Sequence, residues 1–173
     1  MLRLKRINKN NWEDCVALRV SREQKKFIAA NLYSIAEAQF LPGFKATGIY
    51  LKQEMIGFAL YGIDPDDGNY WLYRLMIDKA QQRQGHARIA LQEIIKTLAK
   101  GTPAAPKLMV GYHVDNLAAH RLYESVGFRA EGLAPWGEKI AGFHLASPPL
   151  ALERPRSAQQ GLSRSKNVDF PGV

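Results

Sequence analysis

The chain has 173 residues, of which 46% are apolar, 23% are charged and 10% are aromatic. This composition fits one globular domain with a hydrophobic core, and it excludes both a disordered chain and a collagen-like one. The lone cysteine, Cys15, cannot form an internal disulfide, and we expect it in the core. No apolar run approaches the roughly 20 residues of a membrane-spanning helix, and no apolar segment follows the basic N-terminus. We therefore expect a cytoplasmic protein without a membrane partner.

The formal net charge is +8 at pH 7, which suits nucleic acid, an acidic membrane surface or a polyanionic cofactor. The basic residues are spread along the chain, without a basic helix, zinc-finger spacing or aromatic-rich RNA-binding motif. We therefore expect no nucleic-acid partner. The four histidines have no cysteine partners and no short metal-binding spacing, so no metal site is predicted.

The composition changes at Ser147, where proline, serine, arginine and glutamine replace the large apolar residues. Pro148 and Pro149 lack the amide hydrogen that a strand ladder needs, so they stop the preceding strand. The sequence thus predicts a single domain over 1–146 and a disordered basic tail over 147–173.

Alternating and continuous apolar patterns predict four strands in the first half of the domain, over 2–7, 46–51, 55–63 and 70–78. After the first strand, Asn10 or Asn11 is expected to cap a helix, and two or three short helices fill the segment up to Pro42. The fourth strand is apolar on both faces apart from Arg74, as expected in the middle of a sheet.

A helix with a buried face of Leu91, Ile94, Ile95 and Leu98 follows that strand, and Gly101 and Pro103 are expected to end it. The next segments are a strand over 107–114, a helix over 116–126 and strands over 128–133 and 139–145. A strand, a helix and a second strand in this order imply a parallel pair with a right-handed crossover. The fold class is therefore α/β or α+β with a mixed sheet.

The segment between the fourth strand and its helix resembles a cradle for a pyrophosphate. Gly85 and Ala87 let backbone amides approach an anion closely, while Arg83, Arg88 and Lys79 add positive charge. Taken alone, this pattern is also simple turn chemistry. The candidate cofactor-binding residues here are Gln82, Arg83, Gln84, Gly85, His86, Ala87 and Arg88.

A second motif follows at the right distance, with Asn116, Ala119, Leu122, Tyr123, Gly127 and Phe128. Together the two motifs resemble those of the GCN5-related N-acetyltransferase (GNAT) superfamily, although His86 and Ala87 stand where lysine and glycine are frequent in that family. The resemblance covers nearly all of residues 2–145. It implies acetyl-CoA as the co-substrate and a mostly antiparallel sheet with a splayed parallel central pair of strands.

Within that superfamily the chain is most similar to bacterial spermine/spermidine acetyltransferases, through residues 57–62, 70–78, 120–128 and 136–139. This similarity implies transfer of acetyl to a primary amine of a small polyamine, by direct attack in a ternary complex. The alternatives are another amine acceptor (an aminoglycoside, a protein N-terminus or a lysine), or a non-catalytic acyl-CoA sensor. Many members of the superfamily are dimers, so the resemblance also admits a homodimer.

The resemblance further implies roles for individual residues. The pantetheine arm of acetyl-CoA would bind the backbone of Leu75, Met76 and Ile77, and amides near Met76 or Ile77 would stabilise the oxyanion. Asn116 would contact the same arm, its alternative role being a helix cap. Tyr123 would be the general acid that protonates the leaving sulfur, its alternative role being a core aromatic.

The acceptor amine must lose a proton before it attacks, because an alkylamine has a pKa near 10.4. The candidate carboxylates are Glu23, Glu37 and Glu138, each of which could act as a base, bind a substrate ammonium or remain solvated. Tyr33 and Glu37 are four residues apart and share a helix face, so together they could form a cation-binding wall.

Overall fold

The computed structural model describes residues 1–100 and 105–145. The predicted tail over 147–173, the domain end at Ala146 and the helix terminators Gly101 and Pro103 lie outside these residues. Among the described helices, none is long and apolar enough to cross a membrane.

The observed elements follow the predicted order. The strands are β1 (Leu2–Arg6), β2 (Lys45–Leu51), β3 (Glu54–Ile63), β4 (Tyr70–Ile77), β5 (Lys107–His113), β6 (Arg129–Leu133) and β7 (Glu138–His144). The α-helices are α1 (Trp12–Ala17), α2 (Asn31–Glu37), α3 (His86–Leu98) and α4 (Leu117–Val126), and short 3-10 turns cover Glu23–Lys26, Ala38–Phe40 and Lys79–Gln81. The strands form one seven-stranded sheet in the order β1-β2-β3-β4-β5-β7-β6.

The sheet is antiparallel except between β4 and β5, which confirms the predicted mixed sheet. The parallel ladder joins only three residue pairs, Tyr70 with Leu108, Trp71 with Met109 and Leu72 with Val110. Beyond these pairs both strands continue without pairing to each other, so they diverge and leave a wedge between them. The splayed central pair implied by the family resemblance is therefore present.

Helices cover the two faces of the sheet in separate groups. On one face, α3 and α4 form a core with the sheet that includes Leu91, Tyr112 and Tyr123. On the other face, the segment containing α1 and α2 packs on β2, β3 and β4, and the core there includes Cys15 and Phe58. Burial raises the pKa of the Cys15 thiol to about 12, so this cysteine is a core residue and not a nucleophile.

The start of α1 differs from the prediction. Asn11 occupies the N-cap position, but its side chain makes no capping bond to a helix amide. Its Oδ1 instead accepts a hydrogen bond from the Asn8 amide at 2.8 Å, and its Nδ2 donates to the Arg6 carbonyl at 3.1 Å. Asn11 therefore stabilises the turn between β1 and α1, since both ends of its side-chain amide are bonded there.

Replacement of Leu91 by alanine should lower the free energy of unfolding by about 2–5 kcal/mol, because the substitution leaves a cavity in the core between α3 and the sheet. Leu91 is fully buried there. Ile89 on the same helix is 43% exposed, so Ile89→Ala should change the free energy by no more than roughly 0.5 kcal/mol. Urea unfolding of both variants measures the difference, and equal losses would contradict this description of the α3 face.

Candidate active site

The wedge exposes one edge of β4. The Asp78 amide donates to the Ile56 carbonyl of β3 at 2.8 Å, so the Asp78 backbone faces β3. Because backbone groups alternate along an antiparallel pair, the Met76 amide also faces β3, whereas the amides of Leu75 and Ile77 point into the wedge. Of the three residues predicted to bind a ligand through the backbone, Met76 is thus directed to β3 and the other two to the wedge.

The segment that follows β4, residues 82–88, has a backbone conformation suited to an anion, and we call it the anion loop. Arg83 and Gly85 both have left-handed backbone conformations, with φ of 61° and 80°. The α3 helix then starts at His86 without a side-chain cap, and its first backbone bond runs from the Ile89 amide to the Gly85 carbonyl at 3.2 Å. The preceding amides have no acceptor in the described structure and lie at the positive end of the helix dipole, which suits a diphosphate.

Gln82 attaches this loop to the rest of the protein. Its side-chain Nε2 donates to the Ile77 carbonyl at the end of β4 and to Oε1 of Gln24, both at 2.9 Å. Asp78 provides a second attachment, since its carboxylate accepts from the Arg19 amide at 2.7 Å. Of the predicted cofactor-binding residues, Gln82 therefore positions the loop through its side chain.

The remaining loop residues differ in their exposure. Arg83, Gln84, Gly85 and Arg88 are exposed, and Ala87 is half-buried. His86 is half-buried, and its Nε2 is buried without a hydrogen-bond partner in the described structure. A buried nitrogen without a partner is costly, and a ligand oxygen at this helix end could satisfy it.

Tyr123 lies on α4 and packs against Tyr112 of β5 on one face of the sheet. Its ring is 8% exposed and packs between Tyr112, at a centroid distance of 5.4 Å, and Phe128, at 5.3 Å. Burial, with smaller effects of Tyr112 and the Glu138 carboxylate, raises the pKa of Tyr123. Its hydroxyl makes no hydrogen bond within the described structure, so this core aromatic retains a free donor.

Asn116 has the capping role that the sequence left as an alternative. Its Oδ1 accepts from the Ala119 amide at 3.1 Å and so caps α4. The backbone amide of Asn116 donates to the carbonyl of His113, the last residue of β5, at 2.9 Å. Because β4 and β5 are parallel, Asn116 lies at the same sheet edge as the anion loop.

The structure separates the three candidate carboxylates. Glu37 forms an ion pair with Arg74 at 3.0 Å, so its charge already has a partner in the protein. Tyr33 is 48% exposed on the same helix, and the predicted cation-binding wall lacks a free carboxylate. Glu23 is solvent-exposed in a 3-10 turn, where hydrogen bonds to its own backbone amide and to Ser21 lower the pKa of its carboxyl.

Glu138 is the carboxylate at the wedge. Its Oε2 accepts a hydrogen bond from the indole Nε1 of Trp136 at 2.9 Å. The same oxygen would lie 2.9 Å from a Cβ atom on Gly111, so the carboxylate rests over β5 where a side chain is missing. Gly111 directly follows the last residue that pairs with β4.

Several residues of the site had no assigned role in the sequence analysis. Arg74, the one charged residue of β4, binds Glu37, and Gln24 binds Gln82. The ring of Phe27 packs on His113 at 5.6 Å. A single arginine in an apolar strand does indicate a partner, but the identity of that partner depends on how the helical segment folds back.

Among the described residues, no group of three His, Cys, Asp or Glu side chains is arranged to hold a metal ion.

Comparison with known proteins agrees with this geometry. The family model "Acetyltransferase (GNAT) family" matches residues 7–128. The chain is 28% identical to the probable spermine N(1)-acetyltransferase of Bacillus subtilis subsp. natto (strain BEST195), and 27% identical to the spermine/spermidine N(1)-acetyltransferase of Bacillus subtilis (strain 168). Both alignments span 146 residues, 80% of this chain and 95% of the relative.

Among solved structures, the fold is similar to that of aminoglycoside acetyltransferase AAC(6')-Ib in complex with coenzyme A. The TM-score is 0.67 at 16% identity, over 83% of this chain and 95% of that one. The family model covers most of the described domain, including both the anion loop and α4. The chain therefore belongs to the GNAT family of acetyltransferases.

Proposed function

We propose that the protein transfers the acetyl group of acetyl-CoA to a primary amine of a small polyamine such as spermidine or spermine. The observation that carries the donor half is the unpaired edge of β4, which leads to the uncapped start of α3. An extended arm can bind the free backbone groups of Leu75 and Ile77, while its diphosphate meets the amides at residues 86–88. The relatives named as spermine and spermidine acetyltransferases support the acceptor half.

The backbone of β4 has a second role in this reaction. When an amine attacks the thioester, negative charge develops on the carbonyl oxygen, and a fixed N–H donor in a dry cleft stabilises it. The amides of Leu75 and Ile77 point into the wedge and need no rearrangement to donate. We assign the oxyanion contact to this pair, since the Met76 amide faces β3.

Tyr123 is positioned to assist departure of the sulfur. Its raised pKa keeps the phenol protonated throughout the neutral range. Transfer of this proton to a thiolate with a pKa near 8.5 is uphill, so the phenol first stabilises the developing charge through a hydrogen bond. The proton moves as the C–S bond breaks, and CoA leaves as the thiol. Cys15 is fully buried and cannot form an acyl-enzyme, so the amine attacks the thioester directly.

The acceptor class is tested by CoA thiol release with spermidine, spermine, an aminoglycoside and a peptide as separate acceptors. Turnover with the two polyamines at the highest kcat/KM is the expected result. Turnover confined to the aminoglycoside or the peptide would support acetyltransferase activity but overturn the assignment of a polyamine as the acceptor. Binding of acetyl-CoA without turnover on any amine would support a sensor instead.

The Tyr123→Phe variant should lose about 10²–10⁴-fold in kcat, because the sulfur then leaves without its hydrogen-bond donor. The KM for acetyl-CoA should change little, since the ring and its packing remain. Tyr61→Phe is the matched control, because Tyr61 is a buried phenol of β3 that lies outside the site. Steady-state kinetics of both variants measure kcat and KM. An unchanged kcat in Tyr123→Phe would exclude Tyr123 as the general acid.

The Gly85→Ala variant should weaken acetyl-CoA binding by about 5- to 30-fold, because a left-handed alanine costs about 1–2 kcal/mol. That strain shifts the loop away from the conformation that presents its amides. Gly68 in the β3–β4 loop has a similar φ of 72° and, like Gly85, open space around the missing Cβ. The Gly68→Ala variant should therefore be less stable but bind acetyl-CoA as tightly as the unsubstituted protein. Titration calorimetry with acetyl-CoA measures the two affinities. Equal affinities of the two variants would exclude this role for Gly85.

A further inference from the structure

We propose that Glu138 is the group that takes a proton from the acceptor amine, held in place by Trp136 and given access to the thioester by Gly111. This inference rests on the proposed function and adds the base that the reaction requires. It assigns one of three candidate carboxylates on the basis of the face that each occupies and the partners that each already has.

Glu138 lies on the opposite face of the sheet from Tyr123. Tyr112 belongs to the core under α3 and α4 and packs against Tyr123. Side chains alternate along a strand, so Gly111 and His113 face the other way, and Glu138 shares that face because it is the register partner of His113. The acid and the base therefore flank the apex of the wedge from two sides, which lets the amine enter on one side while the sulfur leaves on the other.

The missing side chain of Gly111 opens the path between Glu138 and the wedge. The Glu138 carboxylate oxygen would be 2.9 Å from a Cβ atom at this position, closer than such contacts normally occur. Val110, the preceding residue, is the last one paired with β4. The carboxylate thus lies beside the point where the two strands part, which is where an acyl group at the end of an arm along β4 would stop.

Trp136 leaves half of the carboxylate available. The indole nitrogen is a donor only, and it holds Oε2 at 2.9 Å. Oε1 has no hydrogen-bond partner among the described residues. One oxygen is therefore fixed in position while the other can accept a proton, which is the arrangement that a general base needs.

The other candidates are already engaged. Glu37 is paired with Arg74, and Glu23 is solvent-exposed in its turn. His113 adjoins Glu138, but its Nδ1 already accepts a hydrogen bond from the Asp115 amide at 3.1 Å. A neutral imidazole with this bond carries its proton on Nε2, so His113 has no free lone pair with which to take a proton.

His113 on β5 is the titratable group beside Glu138 on the same face of the sheet. Tyr123 lies across the sheet, close enough for the Glu138 carboxylate to contribute to the raised pKa of the phenol. The Lys26 ammonium lies over the Phe27 ring, which in turn packs on His113. These contacts put a positive charge on the face of the sheet that carries Glu138.

The proton balance of the reaction is complete with these two groups. Glu138 accepts one proton from the substrate ammonium and releases it to water. The nitrogen lone pair then attacks the carbonyl carbon, the N–C bond forms and the C–S bond breaks, while the sulfur takes the Tyr123 proton. The second nitrogen proton returns through water to the Tyr123 phenolate. The products are the amide, CoA thiol and one proton.

The test is the pH dependence of kcat/KM for spermidine in the unsubstituted protein and in Glu138→Gln. The unsubstituted protein should show a level profile between about pH 6 and 9, because Glu138 removes the proton from the abundant ammonium form. Glu138→Gln should be about 10²-fold or more slower at pH 7. Its profile should rise about tenfold per pH unit, because only the neutral form of an amine with a pKa near 10.4 can then react.

Two further variants separate a base from a structural carboxylate. Glu131→Gln removes a carboxylate of the neighbouring β6 strand that binds Lys107 at 2.7 Å, and it should leave the level profile intact. Trp136→Phe keeps an aromatic ring but removes the indole donor, so it should lower kcat by a smaller factor than Glu138→Gln.

Three outcomes decide between the proposals. A Glu138→Gln enzyme with unchanged rates, or with a raised amine KM and a level profile, would overturn Glu138 as the base while the polyamine function stands. A rising profile with a large loss of rate would support it. Absence of turnover by the unsubstituted protein on any amine would overturn the proposed function itself, and the assignment of Glu138 with it.

Discussion

The parallel ladder between β4 and β5 stops after Leu72 and Val110, and the rest of the site depends on that stop. Backbone amides and carbonyls that leave a ladder inside a protein need other partners, because an unpaired buried group costs about 1–3 kcal/mol. At the end of β4, the Ile77 carbonyl finds one in Gln82. Leu75 and the Ile77 amide have none within the described residues, so this strand edge is free to bind a ligand. The fold tolerates the open edge because both faces of β4 pack against helical layers, which hold the strand in place without the lost bonds.

The order and type of the helices and strands could be predicted from the sequence, because the spacing of apolar residues follows which side chains are buried. The β4 strand is the clearest example, since apolar residues on both faces require a central position. The anion loop and α4 were also visible, as each motif combines turn chemistry with a fixed spacing. The cap of α1 was not predictable in the same way. Whether Asn11 bonds a helix amide or the Asn8 amide depends on the path of the preceding turn, which composition does not determine.

The acceptor side shows where a single sequence ceases to be informative. The sequence does not distinguish Glu23, Glu37 and Glu138 from one another, and only the tertiary structure gives each a different environment. Arg74 of β4 forms an ion pair with Glu37 of α2, and that pair neutralises one candidate. Trp136 and Gly111 distinguish Glu138, although one lies in a turn and the other in a strand 25 residues earlier in the chain. Long-range contacts of this kind leave no local pattern, whereas the anion loop is built from adjacent residues.

The two hydrogen bonds of the Gln82 side chain connect the end of β4 to the 3-10 turn of residues 23–26. Through Gln24, the anion loop is linked to the 3-10 turn of residues 23–26, and Phe27 at the end of that turn packs on His113 beside Glu138. A ligand that orders either end of this connection lowers the entropic cost of ordering the other. In the proposed ternary complex any such coupling is reciprocal by thermodynamic necessity, so acetyl-CoA and the amine would change each other's affinity by the same factor. The Gln82 side chain would then couple the two binding sites through its bonds within the protein.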